Sequence, residues 1–368
     1  MGTGQFYFLP QEHVLFGPGS LSGLAQEVER LGGSKVLIIT GHSLNTQTDV
    51  IQKVKAGLAG YYVGTFAAIK EHAPRSGVEQ AAAAVREYAA DLLVSVGGGS
   101  PIDTAKAVKL LLGAETIPLK HIAIPTTLGA AEFSHLAGIT DDATHTKGGL
   151  AKAELVPNSV ILDANLTLAT PPQLWLSSGI RALDHAVETL YAPGQHPISD
   201  VLALEAVRQL FEFLPRSYHN PREVEVRAEL QLAAWMSFFG EVNTPMGLSH
   251  NLGRGIGASY NVPHGLTSCI TLAPVMRFMA ATPAVKAIAR VADALNLGVD
   301  SDDQSKAFLA AEAVAGLVVQ LGLPQRLREV GLKEADLPAI AQSLIAQAKA
   351  RRVPLPENQI EALLAQMW

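Results

Sequence analysis

The 368-residue chain has little cysteine, little charge and no excess of positive charge. Its single cysteine, Cys269, excludes an intrachain disulfide. The 28 lysines and arginines are outnumbered by 34 aspartates and glutamates, which gives a formal net charge of −6, so we expect neither nucleic acid nor a membrane as a partner. Because only 17% of the residues are charged, we expect self-association to cover some apolar surface, which predicts a homo-oligomer.

Long uninterrupted apolar runs are also absent. The most apolar stretch, 308–323, contains Glu312 and Gln320 and is shorter than the ~20 residues of a membrane span, so it predicts a buried helix. The N-terminal residues lack the basic start and apolar run of a secretion signal. These features favour a cytoplasmic location, and the 48% hydrophobic content predicts large folded cores.

The first part of the chain alternates short β-branched runs with amphipathic helical patterns. The runs lie at 36–40, 61–66, 92–96, 121–125 and 159–163, and the helical patterns lie at 21–31, 77–88 and 101–112. This alternation predicts an α/β domain with a mostly parallel sheet over residues 1–163.

Prolines punctuate the rest of the chain, where the strand signal fades. They separate helical patterns, as at Pro215 and Pro274, and predict an all-helical domain over residues 164–368. The crevice between two such domains is the expected ligand site.

A glycine loop follows the run at 92–96. Its three glycines permit positive φ and a close approach of the backbone to a ligand. Ser100 is expected to cap the next helix and Pro101 to begin it, with free backbone N–H groups available to a pyrophosphate. The alternative is a simple strand-to-helix turn. The residues predicted to bind the cofactor are Gly97, Gly98, Gly99, Ser100 and Asp103.

Two further segments extend the predicted cofactor site. Thr126 and Thr127 follow the run at 121–125 at the carboxyl edge of the sheet, although an ordinary turn is the alternative there. Gly41 and His42 follow the run at 36–40, where a dinucleotide fold usually carries an acidic residue that binds the ribose 2′-hydroxyl and repels a 2′-phosphate. Because Gly41 has neither effect, we predict use of both NADH and NADPH. The alternative is that another residue selects the ribose.

A second glycine-rich stretch, 253–257, lies in the helical half. No strand pattern precedes it, so it predicts a close contact between helices rather than a phosphate loop.

Arginine and histidine residues recur at helical spacing in the second half. Arg181, His185 and Glu188 follow i, i+4, i+7 spacing and share one helix face. His250 and Arg254 are four residues apart on a second helix, and His264 follows in a loop. If these segments converge, they form a cationic, proton-active pocket. The alternative for each residue is a hydrogen bond between helices.

Four motifs together resemble the iron-containing alcohol dehydrogenase family over essentially the whole chain. They are GGGSPIDTAK, PTT followed by glycine, ALDHAVE and GLSHNLGRGIGASYNVPHG. The resemblance implies an α/β dinucleotide-binding domain with a parallel sheet, an all-α C-terminal domain as in dehydroquinate synthase, and often a homodimer. Within the family, LWLSSGIRALDHAVETLYAP, QLAAWMSFFG and GLSHNLGR are most similar to the maleylacetate reductase branch.

The departures from the family pattern concern its metal site. Metal-using members bind iron or zinc with one aspartate and three histidines, and the histidines match His185, His250 and His264. Arg181 stands where the aspartate is expected, and Arg254 stands where metal-using dehydrogenases carry a further histidine. Since a guanidinium repels a divalent cation and binds carboxylates, the comparison implies a dicarboxylate site for which a metal is not required.

The resemblance therefore implies an NADH- or NADPH-dependent reductase of a small dicarboxylate. Its expected reaction reduces the carbon-carbon double bond of maleylacetate to give 3-oxoadipate during degradation of aromatic compounds. Arginine or histidine donors stabilise the enolate that forms, and a histidine or Tyr260 protonates the neighbouring carbon.

Three other functions stay open. One is a metal-dependent alcohol or polyol dehydrogenase that uses the three histidines as ligands. Another is a lyase of the dehydroquinate synthase type, which uses NAD without net reduction. The third is a nucleotide-binding module with no enzymatic activity.

Overall fold

A computed structural model describes residues 5–70, 73–113, 119–142, 147–194, 196–260, 262–351 and 357–368. The chain divides into two compact units. The sheet unit comprises Tyr7–Pro171 and Pro221–Leu232, and the helical unit comprises Pro172–Asn220 and Ala233–Trp368 together with the N-terminal residues up to Phe6. A domain boundary at residue 163 stays a prediction.

The sheet unit is built on six parallel strands in the order β1-β8-β5-β4-β2-β3. These strands are β1 (His13–Phe16), β2 (Val36–Gly41), β3 (Tyr62–Ile69), β4 (Leu92–Gly97), β5 (Lys120–Pro125) and β8 (Ser159–Leu162). An antiparallel hairpin of β6 (Leu136–Thr140) and β7 (Lys147–Ala151) precedes β8. The five predicted strands are confirmed, whereas β1 and the hairpin were not predicted.

Helices cover the sheet because successive side chains of its strands enter opposite cores. Val36 and Ile38 of β2 lie in the core that also contains residues of α1 and α3. Leu37 and Ile39 lie in the core that also contains residues of α4 and α5. The helices of this part of the chain are α1 (Leu24–Arg30), α2 (His42–Thr46), α3 (Val50–Gly57), α4 (Arg75–Tyr88), α5 (Gly99–Gly113) and α6 (Ala164–Thr167).

Beyond Pro171 the described residues form helices and their connections, which confirms the predicted change from α/β to all-α structure. The helices are α7 (Pro172–Tyr191), α8 (Pro197–His219), α9 (Val224–Ser237), α10 (Leu248–Tyr260), α11 (His264–Met279), α12 (Val285–Ala294), α13 (Asp303–Gln320), α14 (Leu337–Arg351) and α15 (Glu357–Met367). Side chains of α10, α11, α14 and α15 share one apolar core.

Three expectations about these helices are wrong. Pro215 and Pro274 do not separate helices, because they lie inside α8 and α11. The stretch 308–323 is not a buried helix throughout, since Phe308 is 53% exposed and Val319 is 55% exposed.

No helix in the described part of the chain combines the length and apolar character needed to span a membrane.

Candidate active site

The carboxyl ends of β2, β4 and β5 form one edge of the parallel sheet. The chain leaves β2 toward β3 on one side and leaves β4 toward β5 on the other, so the direction of winding changes between β2 and β4. These two strands end at Gly41 and Gly97. Ligands of open α/β sheets bind at such a switch point.

The glycine loop lies at this switch point. Gly97 has a φ of 135°, a conformation that favours glycine. Its carbonyl oxygen accepts a hydrogen bond from the backbone N–H of Thr126 at 2.9 Å. A Cβ atom at Gly98 would lie 3.2 Å from Cγ2 of Thr127. The loops after β4 and β5 are therefore packed together, and the small glycines leave their backbone open to a phosphate beside the N-terminus of α5.

The start of α5 corrects the predicted cap. The helix begins at Gly99, so Ser100 lies within its first turn and does not precede it. Asp103 accepts a hydrogen bond from the backbone N–H of Gly138 at 3.0 Å and thereby ties the β6–β7 hairpin to α5. Direct contact of Ser100 and Asp103 with a cofactor stays a prediction.

Gly41 and His42 lie where β2 passes into α2. Gly41 has an extended backbone with a φ of −86°, which any residue can adopt, and His42 is exposed at the first position of α2. The buried Thr126 and Thr127 follow the end of β5. The sheet unit thus brings the predicted cofactor residues to one edge, and their binding of NAD(P)H stays a prediction.

The helical unit brings the predicted arginine and histidine residues together around His250. Burial holds the pKa of His250 well below its usual range, and four neighbouring basic side chains lower it further. These neighbours are Arg181, His185, His264 and Arg254, in order of decreasing effect. Helices α7, α10 and α11 therefore bring these basic side chains close together, and their catalytic roles stay a prediction.

Arg181 connects His250 with a buried acidic group. Its Nη2 lies 2.6 Å from Nδ1 and 2.8 Å from Nε2 of His250. Its Nη1 donates to Oγ of Ser268 at 2.9 Å and lies 3.3 Å from Oδ2 of Asp184. The hydroxyl of Ser268 donates to the same carboxylate oxygen at 2.7 Å. The guanidinium is thus fixed from two sides.

His185 lies in a stack of rings. Its centroid is 4.2 Å from that of Phe238 and 5.6 Å from that of His250, with an interplanar angle of 28° in both pairs. Burial, followed by the charge of Arg181, holds the pKa of His185 well below its usual range. Its Nδ1 is buried and has no hydrogen-bond partner among the described residues. A neutral imidazole at this position can still donate or accept one hydrogen bond.

Glu188 fixes the beginning of α10. Its carboxyl group accepts backbone N–H hydrogen bonds from Gly247 at 2.8 Å and from His250 at 3.2 Å. A Cβ atom at Gly247 would lie 2.5 Å from Cδ of Glu188, so the close approach requires glycine. Burial raises the pKa of Glu188 to about 8. This side chain from α7 therefore sets the position of the helix that carries His250.

The glycines of α10 allow the helix to pack tightly. A Cβ atom at Gly253 would lie 2.6 Å from Oγ1 of Thr267, and one at Gly255 would lie 2.5 Å from Cδ2 of Leu344. The prediction of a close helix contact at 253–257 is confirmed. At Gly257 a Cβ atom would lie 2.9 Å from the carbonyl oxygen of Val262 and 3.4 Å from Nδ1 of His264, so glycine lets α10 approach the residues that lead into α11.

Tyr260 lies at the end of α10, where it is half-buried and packs against the apolar core of α10, α11, α14 and α15. Burial and the charge of Asp336 raise the pKa of its hydroxyl. Its role as a proton donor stays a prediction.

Four contributors to this site were not predicted. They are Asp184, Ser268, Phe238 and Gly247. Asp184 lies on α7 itself, whereas the other three lie far from Arg181 and His185 in the chain and are of residue types that alone carry no chemical signal. Ser268 does lie four residues after His264, and that helical spacing was the one available indication.

The chain matches two family models that together span nearly its full length. Residues 10–164 match the model described as iron-containing alcohol dehydrogenase, and residues 175–368 match the model of the C-terminal region of the same family.

Several relatives are similar over almost the whole chain. A maleylacetate reductase from Pseudomonas sp. (strain P51) is 31% identical over 96% of this chain and 95% of its own length. A lactaldehyde reductase from Escherichia coli (strain K12) is 31% identical over 91% of each chain. The crystal structure of maleylacetate reductase from Rhizobium sp. strain MTP-10005 has a TM-score of 0.86 and 28% identity, and covers 100% of this chain and 99% of that one.

The family match corrects the expectation that a metal is not required. Members of the matched family depend on iron, and this contradicts a metal-free assignment. The arrangement of this chain does not itself fit such an ion. Among the described residues, no group of three or more His, Cys, Asp or Glu side chains is placed to hold a metal. Nη2 of Arg181 lies against both ring nitrogens of His250, so we derive no reaction step through a metal.

Proposed function

The chain belongs to the iron-containing alcohol dehydrogenase family and is an NAD(P)H-dependent oxidoreductase, and we propose that it reduces maleylacetate to 3-oxoadipate. The observation that carries this proposal is the placement of two guanidinium groups at His250: Nη2 of Arg181 lies 2.6 Å from Nδ1 of His250, and Arg254 lies one helical turn after His250 on α10. Maleylacetate carries two carboxylates, and guanidinium groups bind carboxylates in bidentate geometry. Similarity to maleylacetate reductases over most of the chain supports the same substrate.

The reaction requires stabilisation of negative charge on a ketone oxygen. NADH or NADPH supplies a hydride, which adds to the alkene carbon next to one carboxylate. The electron pair of the double bond moves toward the ketone and forms an enolate. A proton then adds to the carbon next to the ketone, which completes reduction of the double bond. Preorganised N–H donors in a buried site stabilise the enolate oxygen.

We assign these donor roles to the groups around His250. The pKa values of His185 and His250 lie well below their usual range, so both rings are neutral at neutral pH. Both ring nitrogens of His250 lie against Arg181, so we assign the donor role to His185, whose buried Nδ1 has no hydrogen-bond partner among the described residues. Arg254 binds a substrate carboxylate, and Arg181 supplies positive charge beside His250. His264 or Tyr260 supplies the proton to carbon.

We propose that the coenzyme binds at the switch point of the sheet unit, at the carboxyl ends of β2 and β4. Gly97, Gly98 and Gly99, with Thr126 and Thr127, form the pyrophosphate site at the start of α5. Gly41 leaves room for a 2′-phosphate, so the enzyme uses NADPH as well as NADH.

The direct test mixes the full chain with maleylacetate and either coenzyme and follows loss of nicotinamide absorbance. We expect 3-oxoadipate to form in equal amount to the coenzyme consumed, as identified by mass spectrometry. Absence of turnover with maleylacetate in a protein that oxidises NADH with another substrate would contradict the assignment.

A second candidate is reduction of a small hydroxyaldehyde. The E. coli lactaldehyde reductase is as similar to this chain, at 31%, as the maleylacetate reductase of Pseudomonas sp. (strain P51). The positive field around His250 favours the dianion over a neutral aldehyde. A comparison of kcat/KM for maleylacetate and lactaldehyde in one preparation decides between them.

A homodimer completes the proposal. Strand β1 lies at one end of the strand order, and the nearby Tyr7, Phe8 and Phe16 are 62%, 76% and 60% exposed. Exposed aromatic side chains beside an edge strand favour an interface with another chain. Light scattering during size-exclusion chromatography measures the mass and tests this expectation.

A further inference from the structure

Lys106 is a fully buried lysine on α5, one to two turns beyond the glycine loop. Its side chain is 0% exposed. Its Nζ donates to the carbonyl oxygens of Ala131 at 2.6 Å, Ser134 at 2.8 Å and Leu136 at 2.8 Å. An ammonium group carries three donors, and three carbonyls satisfy them. This arrangement explains how a lysine is tolerated in the interior of the sheet unit.

The three carbonyls belong to the β5–β6 loop, residues 126–135, and to the first residue of β6. The start and the middle of this loop lie against the glycine loop. The N–H of Thr126 donates to the carbonyl of Gly97 at 2.9 Å, and a Cβ atom at Gly99 would lie 3.9 Å from Cβ of Ala131. Lys106 therefore holds the middle and the end of a loop that adjoins the proposed phosphate site.

A second side chain of α5 acts on the next part of the chain. Asp103, three residues before Lys106, accepts the hydrogen bond from the N–H of Gly138 at 3.0 Å. Both side chains extend from the helix whose first residue is Gly99. The β5–β6 loop and the β6–β7 hairpin thus both form hydrogen bonds with side chains of α5, the helix that follows the glycine loop. Without the ammonium, the carbonyl oxygens of Ala131, Ser134 and Leu136 lose their donor, and the loop has to rearrange so that water or another donor can reach them.

We propose that Lys106 is a positioning residue for the nicotinamide coenzyme. Its ammonium fixes the β5–β6 loop, and with it Thr126 and Thr127, against the glycine loop. This inference rests on the proposed role of the glycine loop in coenzyme binding. The ammonium acts as a built-in cation, and a free alkylammonium ion of the right length can take its place.

The test is chemical rescue of Lys106→Ala in the full chain. The truncation removes three carbons and the ammonium, which propylammonium replaces. We expect the Kd for NADH, measured by nicotinamide fluorescence, to rise tenfold or more and to fall at least fivefold when propylammonium chloride is added. Sodium chloride at equal concentration should have no such effect. Unchanged NADH affinity in the folded variant, or no response to the amine, would overturn the proposal.

Lys109→Ala is the matched control. Lys109 lies three residues later on α5, and its Nζ is 3.4 Å from Oδ1 of Asn158, away from the loop carbonyls. Its NADH affinity should stay within twofold of wild type and should not respond to propylammonium. An equal response of both variants would indicate a general effect of the amine and overturn the proposal.

Gly98→Val separates this inference from the proposed coenzyme site. This substitution should weaken NADH binding without rescue by the amine, because the added side chain obstructs the proposed phosphate-binding site of the glycine loop itself. If Gly98→Val leaves NADH affinity unchanged, the assignment of the glycine loop fails. If Gly98→Val weakens binding while Lys106→Ala does not, only the role of Lys106 fails.

Lys106→Met covers the case in which the alanine variant does not fold. It keeps the apolar stem of the side chain and removes the donors. Faster hydrogen exchange confined to residues 126–138, with weaker NADH binding, supports the proposal. Exchange that rises evenly through the sheet unit, or failure of both variants to fold with propylammonium present, would show a role in overall stability and overturn it.

Discussion

Nη2 of Arg181 lies 2.6 Å from Nδ1 of His250, while Nη1 of the same guanidinium faces Oδ2 of Asp184 at 3.3 Å. Both Arg181 and Asp184 are buried. One planar cation therefore joins an acidic group to the ring at the centre of the site. Its charge contributes, after burial, to the low pKa of His250.

Replacement of Arg181 alone should lower the free energy of unfolding more than replacement of both Arg181 and Asp184. Arg181→Met leaves Asp184 buried beside no cation, which typically costs about 3–5 kcal/mol. Addition of Asp184→Asn should recover more than half of that loss, because the uncompensated charge disappears. Denaturant unfolding of the single and double variants measures the difference.

Arg277 offers a matched exposed pair. Its Nε lies 2.7 Å from Oε1 of Glu312, with side chains 36% and 45% exposed. Arg277→Met should cost no more than about 1 kcal/mol. If Arg181→Met costs no more than this control, the buried pair does not stabilise the helical unit.

The acidity of Glu132 predicts a pH dependence of stability. Burial raises its pKa from 4.5 to about 7. Since the pKa of Glu132 is raised in the folded state, the contribution of this residue to stability is fully present below about pH 4.5 and is lost as the pH rises through about 7. Glutamine has nearly the same shape as glutamate and stays neutral. As the pH rises from 5 to 8, the free energy of unfolding of Glu132→Gln should therefore increase by about 3 kcal/mol relative to that of wild type.

Thermal unfolding across this pH range measures the effect. Glu154→Gln is the control, because the Glu154 side chain is 64% exposed in the same unit. A stability difference between Glu132→Gln and wild type that does not change with pH would show that Glu132 ionises normally in the folded protein.

Replacement of Gly41 should change the preference of the enzyme between NADH and NADPH. Its backbone is extended, and a Cβ atom would lie 3.7 Å from the carbonyl oxygen of Ile69, an ordinary contact. Gly41→Asp should therefore fold and lower kcat/KM with NADPH at least tenfold, while NADH is affected less, because a carboxylate repels the 2′-phosphate.

Gly41→Asn has nearly the same shape without the charge and should retain NADPH. Steady-state kinetics with each coenzyme at fixed substrate supply the comparison. Equal losses with both coenzymes for Gly41→Asp would point to steric obstruction, and equal NADPH losses for both variants would exclude repulsion as the cause.

Much of the sheet could be predicted because its strands are buried on both faces. The β-branched runs that became β2 and β4 are continuous, as expected for a parallel sheet with helices on both sides. Strand β1 was missed because it has four residues and lies at the edge, where His13 and Phe16 are exposed. Its identity as a strand depends on pairing with β8, a contact distant in sequence.

The candidate site was predictable only in its helical spacing. The four-residue intervals from Arg181 to His185 and from His250 to Arg254 fix shared faces, and these faces meet around His250. Phe238 could not be found this way, because its contact with His185 depends on tertiary packing. The substitution at Arg181 led to a metal-free expectation, which the iron-dependent family contradicts.

Arg254 provides the sharpest test of the dicarboxylate assignment. Its charge acts on His250 from the same helix, and we expect it to bind a substrate carboxylate. Loss of such a charge-assisted contact typically costs a few kcal/mol. Arg254→Ala should therefore lower kcat/KM for maleylacetate by roughly a hundredfold or more, while the Kd for NADH stays nearly unchanged.

Arg254→Lys should recover only part of that loss, because an ammonium retains the charge but not the planar fork that matches a carboxylate. Arg208 is the control, since it forms exposed ion pairs with Glu205 and Glu212 on α8, and Arg208→Ala should retain wild-type kcat/KM. If Arg254 only joined helices, its removal would lower thermal stability and NADH affinity together with activity. Normal kinetics in a stable Arg254→Ala protein would remove Arg254 from the site, because Arg181 is already held by Asp184 and cannot alone bind two separated carboxylates.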